Sequence, residues 1–380
     1  MKKERREWRR RIKKSIFTLL FLMGIAGCSK QNQVEKNKVK KGETISISVS
    51  EEISPEIKVD IDGEFKTEDL KKYAVTPEPL PVEKDWVEGV AKYLPFQEKT
   101  AVEDKSYGEE YNTRLFYLKG QENRFSAQKS GIHVSIDPDF YENCELYYHG
   151  EGVYPFFNDE MDIYYDKKDL PFMTYQEAET LSKSLLKQAG FTYSQERSVG
   201  YTLNEDSLES YRSSHLEKFE SIRNWWEENQ IADYIENWRG TGGFYVFYYP
   251  LQIGSLQIDE GSMRGMTYAH VVINRDGIVR ANIPCNYKVV EEADTEVVHP
   301  DIALERLLQM YENTILTGKI RISGIDLIFG ETEMKVIGKS DLDILQVISP
   351  CWRFLVQMEE NGEMVDGEIL YDAVTGKQIR

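Results

Sequence analysis

A change of hydrophobic period at Gly240-Thr241-Gly242-Gly243 constrains the fold of this chain more than any other feature. Between residues 205 and 238, Leu208, Tyr211, Phe219, Ile222 and Trp226 recur near one helical face, with charges opposite. Beyond the glycines, residues 244–251, 266–273 and 278–284 alternate at period two, as strands do. Asn274-Arg275-Asp276-Gly277 joins the last two as a tight turn, because Asp-Gly accepts positive φ. The same order recurs on either side. Thr174 and Glu177 have capping-box spacing, Ala178, Leu181, Leu185 and Ala189 share a helical face, and Gly190 supplies a stop. Pro300 opens a further helix marked by Ile302, Ala303, Leu307, Met310 and Tyr311. Short runs follow it: Ile320, Ile322, Ile325, Leu327 and Phe329, then Trp352, Phe354, Val356 and Met358, then the Asn361-Gly362 turn and Ile369-Leu370-Tyr371. Helix followed by hairpin strands, twice over, predicts an α+β protein with helices packed on antiparallel sheets. The expected regions are a strand-rich segment over 86–172, a central α+β module over 173–298 and a C-terminal one over 299–380. Trp352 and Phe354 are expected to share a strand face and fill the core under the last helix.

The N-terminus reads differently. Lys2, Lys3, Arg5, Arg6, Arg9, Arg10, Arg11, Lys13 and Lys14 precede an apolar run of about 13 residues, too short for the roughly 20 that a membrane-spanning helix needs. This is the pattern of a secretory signal over residues 1–27. Ile25-Ala26-Gly27-Cys28 resembles the lipobox of bacterial lipoproteins. The resemblance implies cleavage between Gly27 and Cys28, lipid on Cys28 with more than one acyl chain (palmitate among them), and a location on the extracytoplasmic face of the cell membrane. Residues 28–85, rich in Lys, Glu, Ser, Pro and Asn, read as a flexible tether of about 40 Å root-mean-square span. Ile45-Ser46-Ile47-Ser48-Val49 alternates as a strand would, without an obvious partner run, and deletion of residues 46–49 is expected to do almost nothing.

Composition narrows the functional classes. With 47 Lys+Arg against 65 Asp+Glu the formal net charge is −18, and nine of the basic residues lie in the first 27. An acidic surface of this kind repels phosphate backbones and anionic headgroups, which argues against nucleic-acid binding and peripheral adsorption to membranes. Aromatic residues make up 12% of the chain, ample for a packed core.

Pro350-Cys351-Trp352-Arg353-Phe354, a hairpin, and Tyr371-Asp372-Ala373-Val374-Thr375-Gly376-Lys377 together resemble the end of PepSY-like modules. The region 244–284 resembles the tandem module of extracytoplasmic regulators that restrain a cell-wall sensor kinase, and the whole is similar to lipoproteins of Gram-positive gut bacteria that carry a domain of unknown function. These resemblances imply a non-catalytic binding or regulatory protein whose partner is a membrane sensor, transporter or peptidase. They imply no cofactor and no catalytic residue.

The remaining motifs weigh less. Gly338-Lys339-Ser340 ends like a phosphate loop, but Glu333 stands where its first glycine belongs. His133, His149, His215, His270 and His299 lie at least 16 residues apart, which gives no close zinc-ligand pair. Cys144 and His149 lack an orienting third group, so structural roles are expected of them. Asp159, Glu160, Asp162 and Asp166 form either a solvated acidic face or a calcium loop lacking its glycine and terminal glutamate. Tyr147, Tyr148, Tyr154, Phe156 and Phe157 are the candidate binding residues, either a sugar platform in a glycan-binding protein or hydrolase accessory, or part of a sheet core. Beyond Cys28, three cysteines leave at least one thiol unpaired; Cys285 ends one expected strand and Cys351 starts another, so the two meet only if the modules pack together, and a disulfide is not the favoured reading.

Overall fold

The computed structural model describes residues 38–95, 102–107, 113–118, 124–148, 161, 164–229, 234–259, 267–312, 314, 316, 318–338, 342–360 and 362–379. Six helices occur among them: α1 (Lys84–Ala91), α2 (Pro138–Tyr148), α3 (Tyr175–Ala189), α4 (Glu205–Ser214), α5 (Leu216–Asn229) and α6 (Pro300–Glu312). The strands are β1 (Lys38–Val39), β2 (Thr44–Glu52), β3 (Ile57–Lys66), β4 (Lys71–Glu78), β5 (Val102–Tyr107), β6 (Thr113–Leu118), β7 (Phe125–Gln128), β8 (Gly131–Ser135), β9 (Val199–Leu203) and β10 (Phe244–Pro250). After these come β11 (Tyr268–Asn274), β12 (Gly277–Pro284), β13 (Asn286–Asp294), β14 (Val297–Val298), β15 (Ile320–Val336), β16 (Ile344–Glu360) and β17 (Glu363–Asp372). The fold is mixed α+β, mostly sheet.

Eight strands form one antiparallel sheet in the order β5-β6-β7-β8-β12-β11-β10-β9. The expected boundary at residue 172 therefore falls inside a single sheet: β8, before it, pairs with β12, after it. One face of this sheet packs under α1 and α3, with Phe247, Val271, Ala281 and Leu185 in one core. The opposite face packs under α2, α4 and α5, with Tyr147, Tyr211, Phe219, Trp238 and Tyr248 in another. Local signals hold well here. Thr174 accepts from Glu177 N–H at 3.2 Å while the Glu177 carboxylate accepts from Thr174 N–H at 2.9 Å, and Gly190 closes α3 at φ 76°. Gly277 sits at φ 111° in the turn that joins β11 to β12. The single helix expected over residues 205–238 breaks instead at His215, whose ring stacks on Tyr211 and whose Nδ1 lies 2.8 Å from the Tyr211 carbonyl.

The second sheet has seven strands in the order β13-β4-β16-β15-β3-β2, with β17 on β16, and only β15 and β3 run parallel. Its core against α6 includes Ile47, Val59, Ile61, Leu307, Trp352, Phe354 and Tyr371. Trp352 is fully buried and its indole N–H donates to the Val298 carbonyl at 3.0 Å. The expected tether is corrected by this sheet, because from Lys38 onward the chain is folded: β2 pairs with β3 from Thr44↔Lys66 to Glu52↔Lys58, and Ile45 and Ile47 are buried. Polar residues on the solvent face gave the segment a linker's composition, while the partner strand β15 lies far along the chain. The C-terminal region is likewise no closed module, since β3 and β4 complete it.

Candidate interaction surface

β17 is an edge strand whose geometry follows from three hydrogen bonds. Ala373 N–H donates inward to Pro350 of β16 at 2.9 Å, while Leu370 O and Asp372 N–H bond the chain's last residues on the other side, to Ile379 and Lys377 at 2.8 Å each. Backbone groups alternate in direction along a strand, so Met364, Asp366 and Glu368 turn their N–H and C=O outward. Among the described residues no strand pairs with the outer side of that stretch, opposite β16. Met364 and Val365 are 46% and 42% exposed, which sets apolar side chains beside the outer side of an edge strand. Farther along the sheet, Met334, Val336 and Ile337 at the tip of the β15–β16 hairpin and Val289 and Val290 on β13 are exposed as well.

Behind the β17 edge lies Arg353, 1% exposed, which bonds Asp326 through Nη2 at 2.6 Å and Nε at 3.3 Å and faces Glu368 at 3.8 Å. A buried guanidinium held by carboxylates on β15 and β17 fixes the spacing of the three strands.

A second polar group lies on the eight-stranded sheet, where the register places Tyr248, His270, Asn282, His133 and Ser126 in one cross-strand row. Arg280 Nη1 approaches His133 Nε2 at 2.9 Å and Asn282 Oδ1 approaches His133 Nδ1 at 2.8 Å. Arginine only donates, so Nε2 accepts and Nδ1–H donates to Asn282, which defines a neutral tautomer. Desolvation, with the Arg280 charge, pushes the His133 pKa down. Glu145 on α2 is pushed up to about 7 by burial, against a smaller opposing pull from Arg280.

The structure places the sequence-derived candidates as follows. Tyr147 is 2% exposed, its hydroxyl accepting from the Trp238 indole at 2.7 Å, so it belongs to the core rather than to a sugar platform. Tyr148 ends α2. Tyr154, Phe156, Phe157, Asp159, Glu160, Asp162, His149, Gly27 and Cys28 lie outside the described residues. Asp166 pairs with Lys168 at 2.6 Å. Cys144, Cys285 and Cys351 are buried free thiols, and burial pushes Cys285 up to about 11. Among the described residues no three His, Cys, Asp or Glu side chains are placed to hold a metal ion, and no helix is long and apolar enough to cross a membrane. Sequence reasoning missed the β17 edge; its one legible signal was Met364-Val365 following the Asn361-Gly362 turn.

No family model matches the chain, and no curated protein matches it. Among solved structures, the crystal structure of an uncharacterized protein from Eubacterium rectale is similar, with a TM-score of 0.57 and 17% identity over 87% of this chain and 92% of that one. At that identity the likeness concerns the fold alone.

Proposed function

We propose that this chain is a lipid-anchored extracytoplasmic binding or regulatory protein, held at the membrane through Cys28, which catches a segment of a membrane or cell-wall protein on the free edge of β17. The observation that carries the reading is the outward-turned backbone of Met364, Asp366 and Glu368 beside exposed apolar side chains, the arrangement that strand addition uses. The PepSY-like reading of the C-terminal half is supported by Trp352 and Phe354 buried beneath α6, with Tyr371 and Ala373 in the same core. An acidic surface suits steering toward a basic partner segment.

A photo-crosslinking residue at position 364, compared in intact cells with one at position 183 on α3, tests this. A discrete adduct to one membrane or wall protein from 364 alone is the expected result. Equal patterns from both positions, or cleavage of peptidoglycan or peptides by the purified protein that a single carboxylate substitution abolishes, would overturn it.

A further inference from the structure

We infer that the groove between α3 and the loop over residues 191–195 binds an acidic saccharide, with a sugar ring against Tyr193 and its carboxylate on Lys183 and Lys187. The inference goes beyond the proposed function: the groove lies on the helical cover of the eight-stranded sheet and needs neither the β17 edge nor acylation of Cys28.

Local structure builds the groove. Along α3, Thr180, Lys183, Ser184 and Lys187 recur three and four positions apart, on the side turned away from the buried Ala178, Leu185 and Ala189. Gly190 then turns the chain at φ 76°, and residues 191–195 make the other wall. That wall is pinned to the body. Thr192 N–H donates to Asn286 Oδ1 at 2.9 Å, Asn286 Nδ2 donates to the Gly190 carbonyl at 2.7 Å, and Ser194 N–H donates to the Pro250 carbonyl at 2.9 Å. The half-buried Tyr193 ring packs on Tyr249 with centroids 4.9 Å apart. The space between the walls is about 470 Å³, within the range of small-ligand sites, and walls fixed in advance need little ordering when a ligand enters.

The hydrogen-bonding capacity of the walls fits a polyol. The Thr180 and Ser184 hydroxyls give their protons to the Gln176 and Thr180 carbonyls at 2.7 Å each, which leaves their lone pairs to accept from a ligand. The Thr192 hydroxyl and the Gln195 amide are exposed and enter no hydrogen bond among the described residues, so both still donate and accept. A sugar presents the complement: hydroxyls of both kinds, and a C–H face for an aromatic ring.

Charge selects an acidic sugar over a neutral one. On a chain of net charge −18, the described residues that line this groove include two lysines and no carboxylate. The acids beside it are answered locally: Glu179 pairs with Lys183 at 3.0 Å, and Glu196 acts on its neighbour Arg197, which also donates to the Ser255 carbonyl. Lys187 enters no ion pair among the described residues and stands in the last turn of α3, where the helix dipole favours a cation. Lys183 and Lys187 are one turn apart on the same face, close enough for one carboxylate to meet both ammonium groups. The groove is therefore a locally positive site on an acidic protein, and an anion gains there what it loses elsewhere on the surface.

Brief acylation of the lysines of the full chain, read residue by residue by mass spectrometry, tests this with digalacturonic acid, neutral digalactose and inorganic phosphate as probes. Digalacturonic acid should protect Lys183 and Lys187 saturably, by about threefold or more at millimolar concentration, with Lys66 and Lys84 unchanged. Lys187→Gln should weaken binding of the acid about fivefold and leave that of the neutral dimer as it was. Tyr193→Leu, which keeps apolar bulk and removes the aromatic face, should weaken both. Protection by phosphate as strong as by digalacturonic acid, equal affinity for the acidic and neutral dimers, or no protection of Lys183 and Lys187 by either sugar overturns the inference. Each of these outcomes leaves the crosslink from position 364 untouched, since that adduct reports on β17 alone.

Discussion

In the eight-stranded sheet β10 buries all seven of its residues, while in the seven-stranded sheet the 17-residue β15 buries a continuous run only over residues 327–330 near its middle and leaves its last four residues exposed. Both strands are rich in apolar residues; their cover differs. β10 lies between α3 on one side and the α2–α4–α5 layer on the other, so Phe244, Val246 and Tyr248 face one core and Tyr245, Phe247 and Tyr249 the second. β15 and β16 run past α6, and the excess ends in solvent at Met334, Val336 and Ile337. Closed cover makes a sheet a source of stability; strands that outrun it offer surface. The comparison assigns rigidity to the first sheet, and under the proposed function recognition falls to the second.

The largest expected effects fall where each sheet is covered. Trp352→Ala and Phe247→Ala should each cost about 3–5 kcal/mol in chemical denaturation, since both side chains are almost wholly buried. A loss at Phe247 with none at Trp352 would show that the seven-stranded sheet contributes little stability. Next comes Ile47→Ala on β2, expected to cost about 2–4 kcal/mol because Ile47 is 4% exposed in the core under α6. An unchanged melting temperature would restore the tether.

A smaller effect separates the sheets by pH. Glu145, on the helical layer of the eight-stranded sheet, is pushed up to about 7 from an ordinary 4.5, so the folded state holds its proton more tightly than the unfolded chain. Its contribution is fully present below about pH 4.5 and lost as pH rises through 7, on the order of 2 kcal/mol. His133, pushed below its ordinary 6.5, has the opposite sign: its contribution is lost as pH falls below 6.5. Glu145→Gln should therefore flatten the decline in stability between about pH 4.5 and 7. A wild-type protein whose stability does not decline with Glu145 across that range, and matches the variant throughout, would show that α2 leaves this carboxylate solvated.

Legibility in the sequence followed the range of the interactions. The capping box at Thr174, the stop at Gly190, the turn at Gly277 and the Trp352–Phe354 face are set by residues a few positions apart, and each could be read directly. The strands β2 to β4 could not: β2 and β3 form a local hairpin masked by the linker-like polar residues of its solvent face, and Ile57 pairs in parallel with Ile320 and Val75 with Gln346, contacts that no window reveals. Tyr147 shows the same limit for sites: an aromatic cluster has one composition whether it lines a groove or, with Trp238, Phe219 and Tyr211, fills a core. The β17 edge was hidden because it depends on which way the backbone groups of that strand turn and on which strands lie beside it.

That dependence allows the finest test of the contrast between the sheets, with the smallest expected cost in stability. Asp366 turns its N–H outward, so Asp366→Pro removes a donor from the free edge while sparing the ladder to β16. The exposed bond from Gln357 to Asp366 at 2.9 Å is also lost, and the total should stay within about 1 kcal/mol. Val365, one residue earlier, turns its N–H inward to β16, so Val365→Pro breaks the ladder and should cost about 3 kcal/mol. If strand addition at this edge is how the protein binds, Asp366→Pro loses the crosslink from position 364 while its melting temperature stays near wild type, and Val365→Pro loses both. A full-strength crosslink from a folded Asp366→Pro protein would remove the backbone from the recognition and leave only the side chains of Met364 and Val365 to carry it.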